Sequence, residues 1–272
     1  MTLTDPALAL DALPDSLFLI ECVEVCDSTN ASLLARAAEG APSALVLVAD
    51  RQTAGRGRRG REWMSTPEGS LTFSVLWRLS PTRMGGLSLA IGLALLYALE
   101  KLGARHLALK WPNDLLFLPP NAATGATPGK LAGILVELAS GHEKTEMAVV
   151  IGMGLNLSLP QGFTTSAAGL DNSLAIMPSR ERLLAEILVE TRRVLAVLEE
   201  QGFAALRAEW QARHAHQNCP VVLQDAGRIE AEGICRGVDE EGALLLEIPG
   251  KPGLSRFFAG DLSLRPKQEE KA

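Results

Sequence analysis

The chain has no excess of positive charge: 26 lysines and arginines face 32 aspartates and glutamates, for a formal net charge of −6. Displacing phosphate counter-ions from a nucleic acid needs net positive surface, so this balance argues against that class, and any local basic cluster must be read as a site. Cysteine is scarce. Cys22, Cys26, Cys219 and Cys235 form no C-x-x-C pair and no dense secreted-type spacing, so they read as reduced, mostly packed thiols of a cytoplasmic protein. No apolar run reaches the roughly 20 residues that span a bilayer. The most apolar run, residues 87–99, is followed by Lys101, Gly103 and Arg105, as suits the end of a buried helix. Residues 1–16 carry Asp5, Asp11 and Asp15 and no basic start, so they read as a flexible tail and not a signal peptide. His214 and His216 have nothing nearby to complete a metal-ligand set and read as a surface pair on a helix end.

At 272 residues and 47% hydrophobic, the chain can build one large core plus a smaller module. Alternation predicts strands at 17–26, 45–49 and 70–79, with four more closely spaced at 107–110, 115–118, 131–138 and 147–157. Asp27-Ser28-Thr29-Asn30 is rich in helix-capping residues, and Leu33, Leu34 and Ala37 then outline a short amphipathic helix that Gly40 can end. Residues 84–102 are apolar around most of a helix circumference, which predicts burial against a sheet. Helices are also predicted at 180–198 and 203–214. The implied class is α+β, a mixed sheet flanked by helices. From Cys219 onward short β segments alternate with turns at Asp225-Ala226-Gly227, at residues 239–242 and at Pro249-Gly250, which marks a separate small β module. Residues 119–129 read as an exposed loop.

Four segments concentrate polar groups. Residues 52–63, Gln-Thr-Ala-Gly-Arg-Gly-Arg-Arg-Gly-Arg-Glu-Trp, interleave glycines that let backbone N–H groups meet an anion with arginines that offer paired donors to a carboxylate or phosphate. Such a string alone reads equally as a solvated basic loop, but here it lies between two good strands and ends in Trp63, which suits stacking on a nucleobase. Lys110-Trp111-Pro112-Asn113-Asp114 puts a lysine at the end of an apolar strand and an amide and a carboxylate in a turn; a capped β-turn with a core tryptophan is the plainer reading. In residues 129–137, Lys130 enters an apolar strand and Gly133 allows close approach, although a strand-start lysine is often merely exposed. Gly152-Met153-Gly154-Leu155-Asn156 punctuates another strand; packing glycines explain it as easily. Together they gather Arg56, Arg58, Lys110, Lys130, Asp114 and Asn156 in an acidic chain. That set suits a site where two anions must meet, such as a carboxylate attacking a nucleoside triphosphate.

In order and spacing, Asp27-Ser28-Thr29-Asn30, residues 52–63, 110–114, 130–137 and 152–156 resemble the biotin protein ligases, and Gly233-Ile234-Cys235-Arg236-Gly237-Val238-Asp239 with Gly242-Ala243-Leu244 resembles that family's small C-terminal domain. The resemblance covers residues 17–265. It implies a class II synthetase-like catalytic domain at 17–216, an SH3-like barrel at 217–266 and a tail at 267–272. It implies ATP and Mg2+ as requirements, biotin as substrate, biotinyl-5'-AMP as intermediate and a biotin carboxyl carrier protein as acceptor. By position, Ser28, Thr29, Asn30 and Gln52 would line the biotin pocket, bonding its ureido ring or forming its wall. Arg56, Gly57 and Arg58 would close over the biotin carboxylate and then the adenylate phosphate, with Lys130 reaching the same region. Lys110 would face the ATP phosphates, and Arg61 and Asn113 would help bind ATP or the adenylate. Trp63 and Asn156 would lie on the adenine side. Asp114 would hold Mg2+ or orient the incoming amine. Arg58, Lys110, Lys130 and Asp114 are thus the expected catalytic set.

Some relatives carry an N-terminal DNA-binding domain; the short segment before the first strand here leads to the expectation of no DNA binding. A sheet edge could support a homodimer. Three rivals stay in view: a lipoate ligase or octanoyl transferase of the same fold, an inactive biotin-sensing relative, and a nucleic-acid-binding module using the arginine loop, which lacks interleaved aromatics.

Overall fold

The computed structural model describes residues 18–120, 128–139, 146–160, 166–260 and 262–267. Seven strands form one sheet: β1 (Leu19–Cys26), β2 (Leu45–Gln52), β3 (Ser70–Leu79), β4 (Leu107–Lys110), β5 (Asp114–Phe117), β6 (Gly129–Leu138) and β7 (Met147–Asn156). Their order is β1-β2-β3-β7-β6-β5-β4. Among the described strands of this sheet only the β1–β2 pair is parallel, so the sheet is mixed as the strand spacing implied. The expected loop at 119–129 falls mostly outside the described residues, as do the tail at 1–16 and the end of the chain after Lys267.

Each face of the sheet has its own cover. Helix α1 (Thr29–Ala38) starts at Ser28, whose hydroxyl accepts from the Ala31 N–H, and Leu33 and Ala37 pack on Leu45, Leu47, Leu76 and Val150. Helices α2 (Leu87–Lys101) and α3 (Arg180–Gln201) cover the opposite face. Helix α2 lies between the sheet and α3, so Leu89 to Leu96 are buried without a break, which explains its apolar circumference. Helix α4 (Ala204–Ala212) follows and buries Leu206 and Trp210.

After α4 the chain runs back alongside β4. The Leu109 N–H donates to Arg213 O at 2.8 Å, and the Ala215 N–H donates to Leu109 O at 2.8 Å. This pairing corrects the surface reading of the two histidines: His214 is 6% exposed and His216 9%. His214 lies against Trp210, with ring centres 4.6 Å apart, and its Nδ1 is 3.8 Å from Cys235 Sγ. Burial, with His216 beside it, holds the His214 pKa down to about 3. Burial, with Lys110 nearby, holds His216 down to about 4. The cysteines are corrected too. All four are free thiols, but only Cys235 is buried, and Cys22 is exposed on the edge strand β1.

The C-terminal module is a five-stranded antiparallel sheet of β8 (Pro220–Asp225), β9 (Arg228–Val238), β10 (Leu244–Glu247), β11 (Leu254–Phe257) and β12 (Leu262–Pro266), in the order β11-β10-β9-β8-β12. Among the described residues β11 and β12 are its edges, and the five-stranded antiparallel sheet is consistent with the expected SH3-like domain. It docks through Trp111, whose buried indole N–H donates to Gly242 O at 3.1 Å. A Cβ on Gly242 would lie 2.8 Å from Gly86 Cα, so this contact needs glycine.

Candidate active site

A cavity of about 380 Å3 opens on the face of the sheet that carries α1, within the range of small-molecule sites, about 300–1,000 Å3. One end is built by the start of α1. Thr29 is buried and its N–H donates to Gln52 Oε1 at 2.8 Å; its hydroxyl meets Ser74 Oγ at 2.7 Å. Asn30 is fixed harder still. Ser74 Oγ donates to Asn30 Oδ1 at 2.5 Å, while Asn30 Nδ2 donates to Leu135 O at 3.2 Å and to Glu137 Oε2 at 2.8 Å. With both N–H bonds and the oxygen committed, Asn30 is wall rather than a donor to a ligand.

The floor is β6 and β7 where they carry glycine. A methyl on Gly152 would strike the Asn30 amide, and one on Gly154 would strike the Trp63 indole. A methyl on Gly133 would come within 2.8 Å of Lys130 Nζ. The strand glycines are therefore not idle packing positions; they leave room for the side chains around the cavity. A β-bulge helps. Leu115 pairs with Ala132 but Leu116 with Lys130, so β6 holds one extra residue at Leu131, which lets Lys130 reach over Gly133.

The lid is the arginine–glycine segment, folded on itself by backbone bonds from Gly57 N to Arg61 O at 2.7 Å and from Trp63 N to Gly55 O at 2.9 Å. Arg56, Arg58 and Arg61 all line the cavity, with Lys130 opposite. Arg56 reaches Glu137 at 3.3 Å. Arg58 Nη1 donates to Asn113 Oδ1 at 3.0 Å, and its Nη2 donates to the C-terminal module at Gly260 O (2.6 Å), Leu262 O (3.1 Å) and Ala259 O (3.2 Å). Arg59 takes a left-handed backbone, φ 63°, and pairs with Asp225 of that module at 3.4 Å. Trp63 packs on the glycine floor with Lys130 Nζ 5.4 Å from its ring centre, and its indole N–H is buried with no acceptor among the described residues.

Of the expected residues, Ser28, Thr29, Asn30, Gln52, Arg56, Gly57, Arg58, Arg61, Trp63, Asn113, Lys130 and Asn156 line this one cavity. Lys110 and Asp114 do not. They stand behind Lys130: Asp114 lies 2.6 Å from Lys130 Nζ and 3.8 Å from Lys110 Nζ. Burial lowers the Lys110 pKa, Asp114 works against that, and Arg265, Lys130 and Arg61 add to the lowering. Asp114 was also the expected Mg2+ ligand. Its carboxylate is shared by the two ammonium groups of Lys130 and Lys110. Asn156 Nδ2 donates to Lys130 O at 3.1 Å and Asn113 Nδ2 to Ile134 O at 2.8 Å, so both amides brace the strands as well as facing the cavity.

Sequence reasoning passed over Gly133, Gly152 and Gly154 as site residues, and also Ser74 and Glu137. A hydroxyl and a carboxylate on otherwise apolar strands were the available signals.

The family model for the "Biotin/lipoate A/B protein ligase family" matches residues 22–156. The chain is 38% identical over 263 residues to the "Bifunctional ligase/repressor BirA" of Escherichia coli, covering 92% of this chain and 75% of that protein. It is 36% identical over 240 residues to the biotin–[acetyl-CoA-carboxylase] ligase of Mycobacterium tuberculosis, covering 85% of this chain and 84% of that one. The structure of the Aquifex aeolicus biotin protein ligase in complex with biotin and ATP superposes with a TM-score of 0.74 at 29% identity, covering 91% of this chain and 99% of that one.

Proposed function

This chain belongs to the biotin/lipoate A/B protein ligase family as a biotin protein ligase, and from that premise we propose how its residues carry out the reaction. The enzyme activates biotin with ATP as biotinyl-5'-AMP and transfers the biotin to a lysine. One observation carries the assignment of residues: Arg56, Arg58, Arg61 and Lys130 face a single cavity in a chain of net charge −6. Cations gathered in one cavity let two anions approach each other and steady the charge that builds at the reacting phosphate.

The ring end of biotin takes the pocket between Thr29, Gln52 and the glycine floor. Gln52 spends its oxygen on Thr29, so its NH2 is the end offered to the ureido oxygen, while Ser28 and Asn30 shape the wall. The carboxylate then lies under Arg56, Gly57 and Arg58 and beside Lys130. One carboxylate oxygen bonds to the α-phosphorus of ATP as the bond to the pyrophosphate leaving group breaks. Arg58 and Lys130 stay with the new mixed anhydride, because the phosphate they grip passes from reactant to intermediate. The acceptor lysine, as a free amine, next attacks the acyl carbon; the amide forms, AMP leaves, and the amine's proton goes to solvent or a nearby carboxylate.

Asp114 holds Lys130 in place, and Lys110 adds positive potential behind it. Arg61, Asn113, Asn156 and the unsatisfied Trp63 N–H take the nucleotide side. Mg2+ enters with ATP as part of the substrate, carried by phosphate oxygens. The acceptor is the biotin carboxyl carrier protein of a carboxylase, and the site of action is the cytoplasm, where ATP is available and the four free thiols stay reduced. No described helix is long and apolar enough to cross a membrane.

The test is a competition in which the chain, Mg-ATP and a biotin-accepting carrier domain are given labelled biotin or labelled lipoate. Label on the carrier from biotin alone supports the assignment. Preferential lipoate transfer would move the chain to the lipoate branch.

A further inference from the structure

Along β6, alternate residues share a face, so Glu137 follows Gly133 and Leu135 on the side that lines the cavity. It does not itself line the cavity; its side chain is 27% exposed, in a strand otherwise rich in apolar residues. Its carboxylate has two partners that are distant from each other in sequence. Oε2 accepts from Asn30 Nδ2 at 2.8 Å, and Arg56 Nη2 lies 3.3 Å from Oε1. Asn30 belongs to the first turn of α1, whereas Arg56 belongs to the lid. A single carboxylate thus ties the wall at the ring end of the site to the segment that closes over it.

We propose that Glu137 is a positioning residue that holds Asn30 and Arg56 in register with each other, and that it sets biotin affinity without touching the reacting atoms. The inference rests on the biotin-ligase reading of the cavity. The two links differ in kind. Asn30 is buried, at 3% exposure, and the amide–carboxylate bond helps fix which end of the amide faces Ser74. Arg56 is half exposed, so its ion pair is weak and biases the lid without locking it. That suits a lid arginine that must be free to turn to a substrate carboxylate. Because both links lie at the biotin end, loss of Glu137 acts on biotin and leaves ATP binding and the chemical step largely alone.

The experiment measures biotin-dependent pyrophosphate release in the presence of a biotin-accepting carrier domain for the wild type, Glu137→Ala and Glu137→Gln, varying biotin and ATP separately. Glu137→Ala is expected to raise the KM for biotin about tenfold, with kcat and the KM for ATP changed by less than about threefold. Glu137→Gln keeps an acceptor for Asn30 and loses only the charge facing Arg56, so it should recover most of the biotin KM. In a double-mutant cycle with Arg56→Ala, the effects of Glu137→Ala and Arg56→Ala should be less than additive. An unchanged biotin KM in Glu137→Ala, or a loss confined to kcat, overturns the proposal. Equal defects in the Gln and Ala variants overturn it as well, and if the Ala variant does not fold, the Gln variant and its cycle with Arg56→Ala decide. A wild type that releases no pyrophosphate with biotin would instead overturn the reading of the site itself.

Discussion

The ammonium of Lys130 lies 2.6 Å from the Asp114 carboxylate, and that carboxylate also lies 3.8 Å from Lys110. One acidic group therefore steadies the cavity's strand lysine and partly compensates the buried lysine behind it. Asp114→Ala should lower kcat for adenylate formation by about ten- to a hundredfold, because Lys130 loses its fixed position. The biotin KM should change less. Steady-state pyrophosphate release in the presence of a biotin-accepting carrier domain checks this, and an undiminished kcat would show that Lys130 is held by other means.

Gly154 lies under Trp63, and a methyl there runs into the indole. Gly154→Ala should raise the biotin KM at least about tenfold and cost about 1–3 kcal/mol of stability through overpacking. Biotin titration and denaturant unfolding measure the two effects. An unaltered biotin KM would mean that the cavity floor is not where biotin lies.

Arg58 is bonded to Asn113 and to main-chain oxygens of the C-terminal module at Ala259, Gly260 and Leu262. Arg58→Gly removes a cation from the lid while leaving Lys130 in place. The variant should still make biotinyl-5'-AMP but release it, so that bystander lysines on added albumin become labelled. Tight retention of the intermediate by the variant would count against the role of Arg58.

The buried histidines predict an acid-sensitive fold. The folded-state pKa values, about 3 for His214 and about 4 for His216, lie below the ordinary 6.5. Above pH 6.5 neither state is charged and their contribution is complete; as pH falls toward 4 the unfolded chain takes up protons that the fold refuses, and stability is lost. Between pH 7 and pH 5 the loss should be on the order of 2 kcal/mol per ring. Urea unfolding across that range should show the slope, and His214→Gln with His216→Gln should flatten it. A slope that survives both substitutions would place the acid sensitivity elsewhere.

Much of the fold was legible because its elements carry local signals. The strand at Ser70–Leu79 and the helix start at Arg180 match the expected positions, since alternation and helical periodicity are written in neighbouring residues. Most of the site's polar residues were visible for a related reason: lysines, asparagines and arginines stand out against apolar strands. The histidine pair was misread because its burial depends on pairing with Leu109, about a hundred residues away, and no local pattern encodes that. Lys110 and Asp114 were placed in the cavity because sequence gives adjacency but not depth. Glu137 was overlooked because its meaning comes from Asn30 and Arg56, which only the folded sheet brings together.

The most direct measurement is a single-turnover assay with enzyme in excess over biotin, Mg-ATP and no carrier protein, comparing the wild type with Lys130→Ala. The wild type should release about one pyrophosphate per biotin and keep the acyl-adenylate bound, while Lys130→Ala should slow that burst about a hundredfold or more. Pyrophosphate formation that ignores biotin, or a burst of equal speed in both proteins, would contradict the claim that the cations of the lid and of β6 act together on one activated carboxylate.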